Sequence, residues 1–256
     1  MNMQLSILSA AILAMSMSAS AQALTAGDIA VIAYNSDGDD NFAWVALTDI
    51  AANTTINFTD SSWQGFGPGA FRSTEHLDVG GGGPLTWSNA SLLSAGSVVT
   101  YSGKTTTTWS VGTGTGSFLN LSNDGDQVFV YQGTNAAPSF IFGLQFAHAT
   151  GIIASPTVSN STNTTNVPGA LSETAYTMFN VGNFDNGYYS GITIGTREEL
   201  IAAIGDTSNW TRSNSDTATT NWATSFAVTP VPEPETYALM LAGLGLVGFM
   251  ARRRKV

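Results

Sequence analysis

Short apolar segments at the two ends of the chain confine any folded domain to the residues between them. Near the C-terminus, Pro232 and Pro234 precede the uncharged apolar run 237–251, and the basic cluster 252–255 follows it. Because prolines lack an amide donor and keep the chain extended, no helix begins before them. The run can enter a bilayer as a helix, while the basic cluster resists translocation and stays cytoplasmic. The pattern therefore predicts a transmembrane helix over residues 237–251.

This predicted helix is short for a permanent membrane anchor. Its 15 residues span roughly 22 Å at ~1.5 Å per residue, whereas a bilayer core of ~30 Å usually requires about 20 residues. Gly243, Gly245 and Gly248 weaken the helix further. A marginal span suits a segment that is held briefly and then cut, and a plain C-terminal anchor is the alternative.

The tail, residues 231–256, resembles the PEP-CTERM sorting signal and is similar to the C-terminal segments of some ice-binding proteins. The residues that carry the resemblance are Val231, Pro232, Glu233, Pro234, Arg252, Arg253 and Arg254. The resemblance implies that an exosortase recognises and processes the tail, in a Gram-negative bacterium that makes extracellular polysaccharide. It also implies a transient stay in the inner membrane, followed by delivery to the cell surface or extracellular matrix.

Residues 1–23 are typical of a secretory signal peptide, which signal peptidase removes. An apolar stretch covers residues 5–19, and Ala-x-Ala sequences end at Ala21 and at Ala23. The first six residues depart from the usual pattern because they contain no Lys or Arg. We expect a signal helix that is cleaved after Ala23, with cleavage after Ala21 as the alternative. The exported body then spans residues 24–230.

The composition of this body restricts its partners. It holds four basic and sixteen acidic residues, so its net charge is near −12. Such a surface is a poor partner for nucleic acid, and a cation such as calcium or a neutral glycan fits it better. The chain contains no cysteine, so a hydrophobic core must stabilise the body without disulfides.

The body has the short alternating apolar stretches of an antiparallel β-protein. We expect strands over residues 28–34, 42–50, 54–59, 85–87, 97–101, 126–131, 140–146, 175–179, 188–194 and 225–229. Residues 61–84 and 150–172 show no regular period, and the second stretch is rich in Ser, Thr and Asn. We expect both to be loops, the second an extended surface loop.

One short helix is expected near residue 200. Thr196 and Glu199 form a capping box, and Leu200, Ile201 and Ile204 follow at helical spacing. The predicted fold class is therefore mainly β, an antiparallel β-sandwich with a single short helix.

Residues 24–146 resemble the bacterial lamin-tail-like domains. The resemblance rests on the β-strand pattern of residues 27–35, 42–50, 54–60, 85–87, 95–99 and 125–133. It implies an immunoglobulin-like sandwich that acts as an interaction module on bacterial surface proteins. The family has no agreed catalytic residues, so the resemblance assigns none to this chain.

The sequence lacks the common catalytic motifs. It contains no Cys and no Gly-x-Ser-x-Gly, and His76 and His148 lie outside any His-Glu-x-x-His pattern. A glycosidase pair of carboxylates is assembled in space, so the sequence leaves it open. We therefore expect a non-enzymatic structural or interaction module of a biofilm or exopolysaccharide. A secreted hydrolase acting on polysaccharide and a calcium-dependent adhesin are the alternatives.

The acidic turn between the first two predicted strands is the candidate metal site. Asp37, Asp39 and Asn41 fall at alternate positions, as oxygen ligands do in the first half of an EF-hand loop. The remainder of that motif is missing, because Phe42 and Thr48 occupy the positions of its glycine and bidentate glutamate. The sequence favours a hairpin turn, with calcium as the alternative and no other cofactor.

Overall fold

The computed structural model describes residues 22–38, 40–66, 69–73, 84–103, 107–116, 118–215 and 223–231, together with 242–244, 246 and 250 of the tail. Its strands are β1 (Ile29–Asn35), β2 (Asn41–Ala46), β3 (Thr55–Thr59), β4 (Trp63–Gln64), β5 (Ala70–Phe71), β6 (Leu85–Ser88), β7 (Val98–Ser102), β8 (Thr108–Trp109), β9 (Thr113–Thr115), β10 (Asp126–Thr134), β11 (Ala137–Phe146), β12 (Met178–Asn180), β13 (Asn186–Tyr189), β14 (Ile194–Gly195), β15 (Trp210–Ser213) and β16 (Ala227–Val228). Its helices are α1 (Arg197–Gly205) and the short 3-10 helix Thr207–Asn209.

Most of these strands form two six-stranded sheets. Sheet I has the order β15-β13-β1-β2-β7-β8, and sheet II has the order β12-β11-β10-β3-β6-β9. Neighbouring strands are antiparallel, except that β12 joins β11 in parallel. The predicted mainly β, antiparallel sandwich is thus confirmed, although a short 3-10 helix accompanies the single helix that the sequence predicts.

The main core lies between the two sheets. Tyr34 of β1 stacks on Phe146 of β11 with ring centroids 4.3 Å apart, and Trp44 of β2 meets Trp87 of β6 at 5.0 Å. All seven residues of β1 are buried, because this apolar strand is central in its sheet. Core residues therefore come from both sheets, as the alternation in the sequence requires.

A second apolar cluster covers part of the outer face of sheet II. The predicted loop 61–84 contains the antiparallel pair β4–β5, so the expectation of a stretch without strands was wrong there. Phe71 packs on Tyr131 at 5.3 Å, and Trp63 packs on Phe140 at 5.0 Å. The hairpin forms because it buries aromatic rings that β10 and β11 present outward.

The predicted surface loop 150–172 is also partly buried. The Asn166 side chain is fully buried: its Oδ1 accepts from the amides of Gly65 and Ser159, and its Nδ2 donates to the carbonyls of Ile153 and Thr157. These four hydrogen bonds allow a polar segment to lie against the sheet without the cost of unpaired polar groups. A surface-loop prediction based on polarity alone overlooks such internal pairing.

Helix α1 begins where the sequence predicts. Thr196 Oγ1 accepts from the Glu199 amide at 3.2 Å, and Glu199 Oε2 accepts from the Thr196 amide at 2.8 Å. Leu200, Ile201 and Ile204 are buried. The capping-box prediction is thus confirmed.

Both terminal predictions fall mainly on residues that the structure does not describe. Of the predicted signal peptide, residues 1–23, positions 1–21 lie outside the described residues, and Gln22 is the first described position. Gln22 contacts the body, because its Oε1 accepts a hydrogen bond from the Ala51 amide at 2.9 Å. In the tail, the described residues 242–244, 246 and 250 are helical and exposed. Within the described residues, no helix combines the length and apolar character needed to cross a membrane.

Candidate functional site: the tail junction and the acidic end

The last strand attaches the C-terminal segment to the sandwich. Strand β16 pairs in parallel with β14, and the Thr229 amide donates to the Gly195 carbonyl at 2.8 Å. Phe226 is 8% exposed and stacks on Tyr189 with centroids 6.0 Å apart. Val231, two residues beyond Thr229, is 59% exposed. The described body pairing thus extends to Thr229, and the chain is solvent-exposed at Val231.

Gly96 makes this junction possible. The Phe226 amide donates to the Gly96 carbonyl at 2.9 Å, and the Gly96 backbone has a φ of +87°. A β-carbon at this position would lie 2.1 Å from the Phe226 carbonyl oxygen. Only glycine combines this left-handed backbone with so close an approach.

Comparison with known families identifies the segment that follows. The PEP-CTERM protein-sorting motif matches residues 230–255. The chain carries an exosortase sorting tail. A search of curated proteins gave no match, and neither did a search of solved structures. The motif starts one residue after Thr229, so the sorting tail begins where the described pairing of the sandwich ends.

The motif indicates that an exosortase processes the chain and that the protein is exported to the cell surface or beyond. Val231 is the one predicted sorting residue among those that the structure describes, and its side chain is exposed. The other sorting residues, Pro232, Glu233, Pro234, Arg252, Arg253 and Arg254, lie outside the described residues.

The opposite end of the sandwich is acidic. Strand β2 runs from Asn41 at that end to Ala46 at the tail end, where the Ala46 carbonyl accepts from the Gly96 amide at 2.7 Å. Four loops bring carboxylates to the far end, which we call the acidic end. Its described members are Asp37, Asp40, Asp60, Asp124, Asp126 and Asp185.

Burial and neighbouring carboxylates act on two titratable groups at this end, Asp185 and Tyr101. Burial raises the pKa of Asp185 above its ordinary value, and the negative charges of Asp37 and Asp124 raise it further. Burial likewise raises the pKa of Tyr101 to about 12, with smaller contributions from Asp40 and Asp60 in the same direction. The phenol of Tyr101 therefore stays protonated at neutral pH, and it donates to the Gly103 carbonyl at 2.8 Å.

The predicted calcium residues have different surroundings. Asp37 Oδ2 accepts from Asn186 Nδ2 at 2.9 Å, a contact across 149 residues of sequence. Asn41 Oδ1 is buried and has no hydrogen-bond partner among the described residues. Asp39 lies outside the described residues. Within the described part of the chain, no three His, Asp or Glu side chains are grouped to hold a metal ion.

Asn41 and Asn186 are linked through a third asparagine. In sheet I, Asn35 pairs with Asn41 on one side and with Asn186 on the other. Cross-strand partners point to the same face of a sheet, so the three side chains form a polar row at the acidic end. Nothing in the local sequence indicates a role for Asn186, because strand pairing alone brings it to this turn.

Structural contacts account for His148 and for two of the tryptophans. His148 Nδ1 accepts from the Thr150 amide at 3.3 Å, and His76 lies outside the described residues. Trp63 and Trp210 are 5% and 6% exposed, and Trp210 Nε1 donates to the Ile204 carbonyl at 2.7 Å. These two tryptophans pack in the protein interior.

Proposed function

We propose that this chain is a non-enzymatic, exported β-sandwich that an exosortase releases or transfers from the inner membrane to the cell surface or extracellular matrix. The observation that carries the proposal is the boundary at Thr229. The pairing of β16 with β14 extends to this residue, and the sorting motif occupies the 26 residues from 230 to 255. Cutting the tail therefore removes none of the described contacts of Phe226 or β16.

The finer part of the proposal concerns the body. Its resemblance to lamin-tail-like domains supports an immunoglobulin-like interaction module, and its export supports exopolysaccharide or another matrix component as the partner. Sixteen acidic residues against four basic ones favour a neutral glycan or a cation-bridged polymer over an anionic partner. A Gram-negative host with an exosortase supplies both the processing enzyme and the polysaccharide.

Mass spectrometry of the surface fraction tests the processing step. We expect the mature protein to lack Arg252–Lys255, and we expect the Pro232→Ala/Glu233→Ala double variant to remain uncut in the inner membrane. This variant removes the recognition sequence but keeps the apolar run and the basic cluster. The matched control, Glu235→Ala/Thr236→Ala, changes two neighbouring residues outside Val-Pro-Glu-Pro and should be cut normally.

An intact C-terminus on surface protein would contradict exosortase processing. A separate assay addresses the body: the protein is incubated with its host's exopolysaccharide, and binding and newly formed reducing ends are both measured. Retention without new reducing ends is expected of an interaction module. Catalytic release of reducing ends would instead establish a polysaccharide hydrolase.

A further inference from the structure

The first described residue of the chain is held by hydrogen bonds from two distant parts of the sandwich. Gln22 Oε1 accepts from the Ala51 amide at 2.9 Å. The Gln22 carbonyl accepts from Gln132 Nε2 at 3.0 Å, across 110 residues of sequence. Gln22 is therefore tied both to the connection between β2 and β3 and to strand β10.

Gln132 is the centre of this arrangement, which we call the N-terminal clamp. Its Nε2 also donates to the Thr55 carbonyl at 3.1 Å, and its Oε1 accepts from the Leu24 amide at 2.8 Å. A primary amide has two N–H donors, and in Gln132 each of them has a carbonyl acceptor. Without Gln22, one donor of Gln132 and the Ala51 amide would both lose their acceptors. Residue 22 thus belongs to the folded body rather than to the segment that precedes it.

Burial distinguishes the two Ala-x-Ala sequences that precede the body. Leu24 is 3% exposed, whereas Gln22 is partly exposed. Cleavage after Ala23 would convert the Leu24 amide, which faces Gln132 Oε1, into a charged ammonium on a buried residue. Cleavage after Ala21 places the new ammonium on Gln22 instead. Because desolvation of a charge is unfavourable, the fold favours cleavage after Ala21.

The clamp lies at the same end of the sandwich as the tail junction. Ala51 follows Ile50, which pairs with Leu93, and Gly96 of the same connection pairs with Phe226. The two segments that the sequence assigns to the membrane therefore adjoin one end of the body, so a folded body is compatible with both segments in one membrane. In such a body the bond after residue 23 lies within the clamp, whereas the bond after residue 21 precedes it.

We propose that signal peptidase cuts after Ala21, so that Gln22 is the first residue of the mature protein and the N-terminal clamp holds this new end. Hydrolysis breaks the Ala21–Gln22 peptide bond with one water and leaves a carboxylate on Ala21 and an ammonium on Gln22. The sequence left this position open as the alternative, and the contacts of Gln132 favour it. The inference rests on the proposed export, because only an exported chain meets signal peptidase.

Mass spectrometry of the N-terminal peptide of the surface protein tests the cleavage position. We expect Gln22 as the first residue, with or without loss of ammonia by cyclisation of the glutamine. Ala19→Leu and Ala23→Leu form a matched pair, because each enlarges a small residue that only one of the two Ala-x-Ala sequences contains. Ala23→Leu should leave cleavage after Ala21 unchanged, whereas Ala19→Leu should abolish it.

A mature protein that begins at Leu24 would refute the proposal, and so would loss of processing in Ala23→Leu together with normal processing in Ala19→Leu. A chain whose N-terminus is not cut at all would refute the proposed export as well. Failure of export is thus distinguishable from cleavage at the other position.

The melting temperature of the purified surface protein tests the clamp itself. Gln22→Met keeps the length of the side chain but removes the oxygen that accepts from the Ala51 amide. If Gln22 is retained, this variant should melt about 2–4 °C lower, the shift expected for one hydrogen bond in a domain of this size. Ser20→Met is the control, because residue 20 is removed by cleavage after Ala21 and should leave the melting temperature unchanged. An unchanged melting temperature in Gln22→Met would refute the proposal, since a protein that begins at Leu24 no longer contains the substituted residue.

Discussion

At the scale of single residues, Asp185 shows how the acidic end limits stability. Burial raises the pKa of its carboxyl, and Asp37 and Asp124 raise it further. The nearby cation, Arg212, is directed elsewhere: its guanidinium lies 4.8 Å over the Phe184 ring and donates to the Val181 carbonyl at 2.8 Å. The folded protein therefore holds a proton on Asp185 at pH values where the unfolded chain has lost it.

This gives a pH prediction with a definite sign. Because the folded pKa of Asp185 lies above the unfolded one, its contribution to stability falls as pH rises through that window. Asp185→Asn should raise the melting temperature at pH 7, and the gain should shrink as the pH approaches 4. For a partly exposed charge the effect is below about 1 kcal/mol, or at most roughly 2–4 °C.

Thermal unfolding followed by circular dichroism between pH 4 and pH 7 measures this difference. Glu173→Gln is the matched control, because Glu173 is exposed and lies outside the acidic end. A destabilised Asp185→Asn protein at pH 7, or an equal gain from Glu173→Gln, would contradict the argument.

Residue-level features were predictable from sequence where the partners are close in the chain. Thr196 and Glu199 are three positions apart, and their capping box was predicted and found. The contact of Asp37 with Asn186 spans 149 positions, and nothing in either local sequence indicates it. It arises because β1 and β13 are neighbours in sheet I.

At the scale of secondary-structure elements, α1 depends on its N-terminal cap. Hydrogen bonds from Thr196 lower the pKa of the Glu199 carboxyl, so the cap is complete at neutral pH and weakens as pH falls through that lowered value. The helix buries Leu200 and Ile204, and loss of the cap should therefore destabilise the body. We expect Thr196→Ala to reduce the free energy of unfolding by about 1 kcal/mol.

Urea denaturation at pH 7 checks this value. Thr196→Ser is the matched control, because serine keeps the hydroxyl that accepts from the Glu199 amide, and it should remain within a few tenths of a kcal/mol of the unmodified protein. Equal losses from the alanine and serine variants would show that the threonine methyl group, rather than the hydrogen bond, stabilises this end of the helix.

The longer strands were predictable because their apolar pattern is continuous or alternating. Strands β1, β3, β10 and β11 were all expected at nearly their observed positions. The prediction missed β8, β9 and β15, which have two, three and four residues. Such short stretches carry no periodic signal, and their pairing with β7, β6 and β13 decides their conformation.

At the scale of the whole molecule, the sandwich is polarised from end to end. The sorting tail leaves beside Gly96 and β14, whereas the six described carboxylates of the acidic end lie at the other end of β1 and β2. The point where the tail leaves the body and the acidic end therefore lie at opposite ends of the same strands.

This organisation predicts that the body is stable without its tail but not without its last strand. A chain ending at Thr229 keeps Phe226 against Tyr189 and keeps the Thr229–Gly195 hydrogen bond, so its free energy of unfolding should match that of the untruncated protein. A chain ending at Ser225 loses Phe226 and β16. Because loss of a buried phenylalanine side chain costs about 3–5 kcal/mol, we expect a large drop in the urea midpoint.

Phe226→Ala in the chain that ends at Thr229 separates the contribution of the Phe226 ring from that of the β16 backbone pairing. It removes the ring from its contact with Tyr189 but leaves the backbone pairing of β16 with β14 intact. If the ring contributes most of the stability, this variant should lose most of the free energy of unfolding that truncation to Ser225 loses. Its circular dichroism spectrum should remain β-type with little helix. Equal stability of the chain ending at Thr229, its Phe226→Ala variant and the chain ending at Ser225 would show that β16 belongs to the tail. The boundary between the body and the sorting motif would then lie before Phe226 rather than after Thr229.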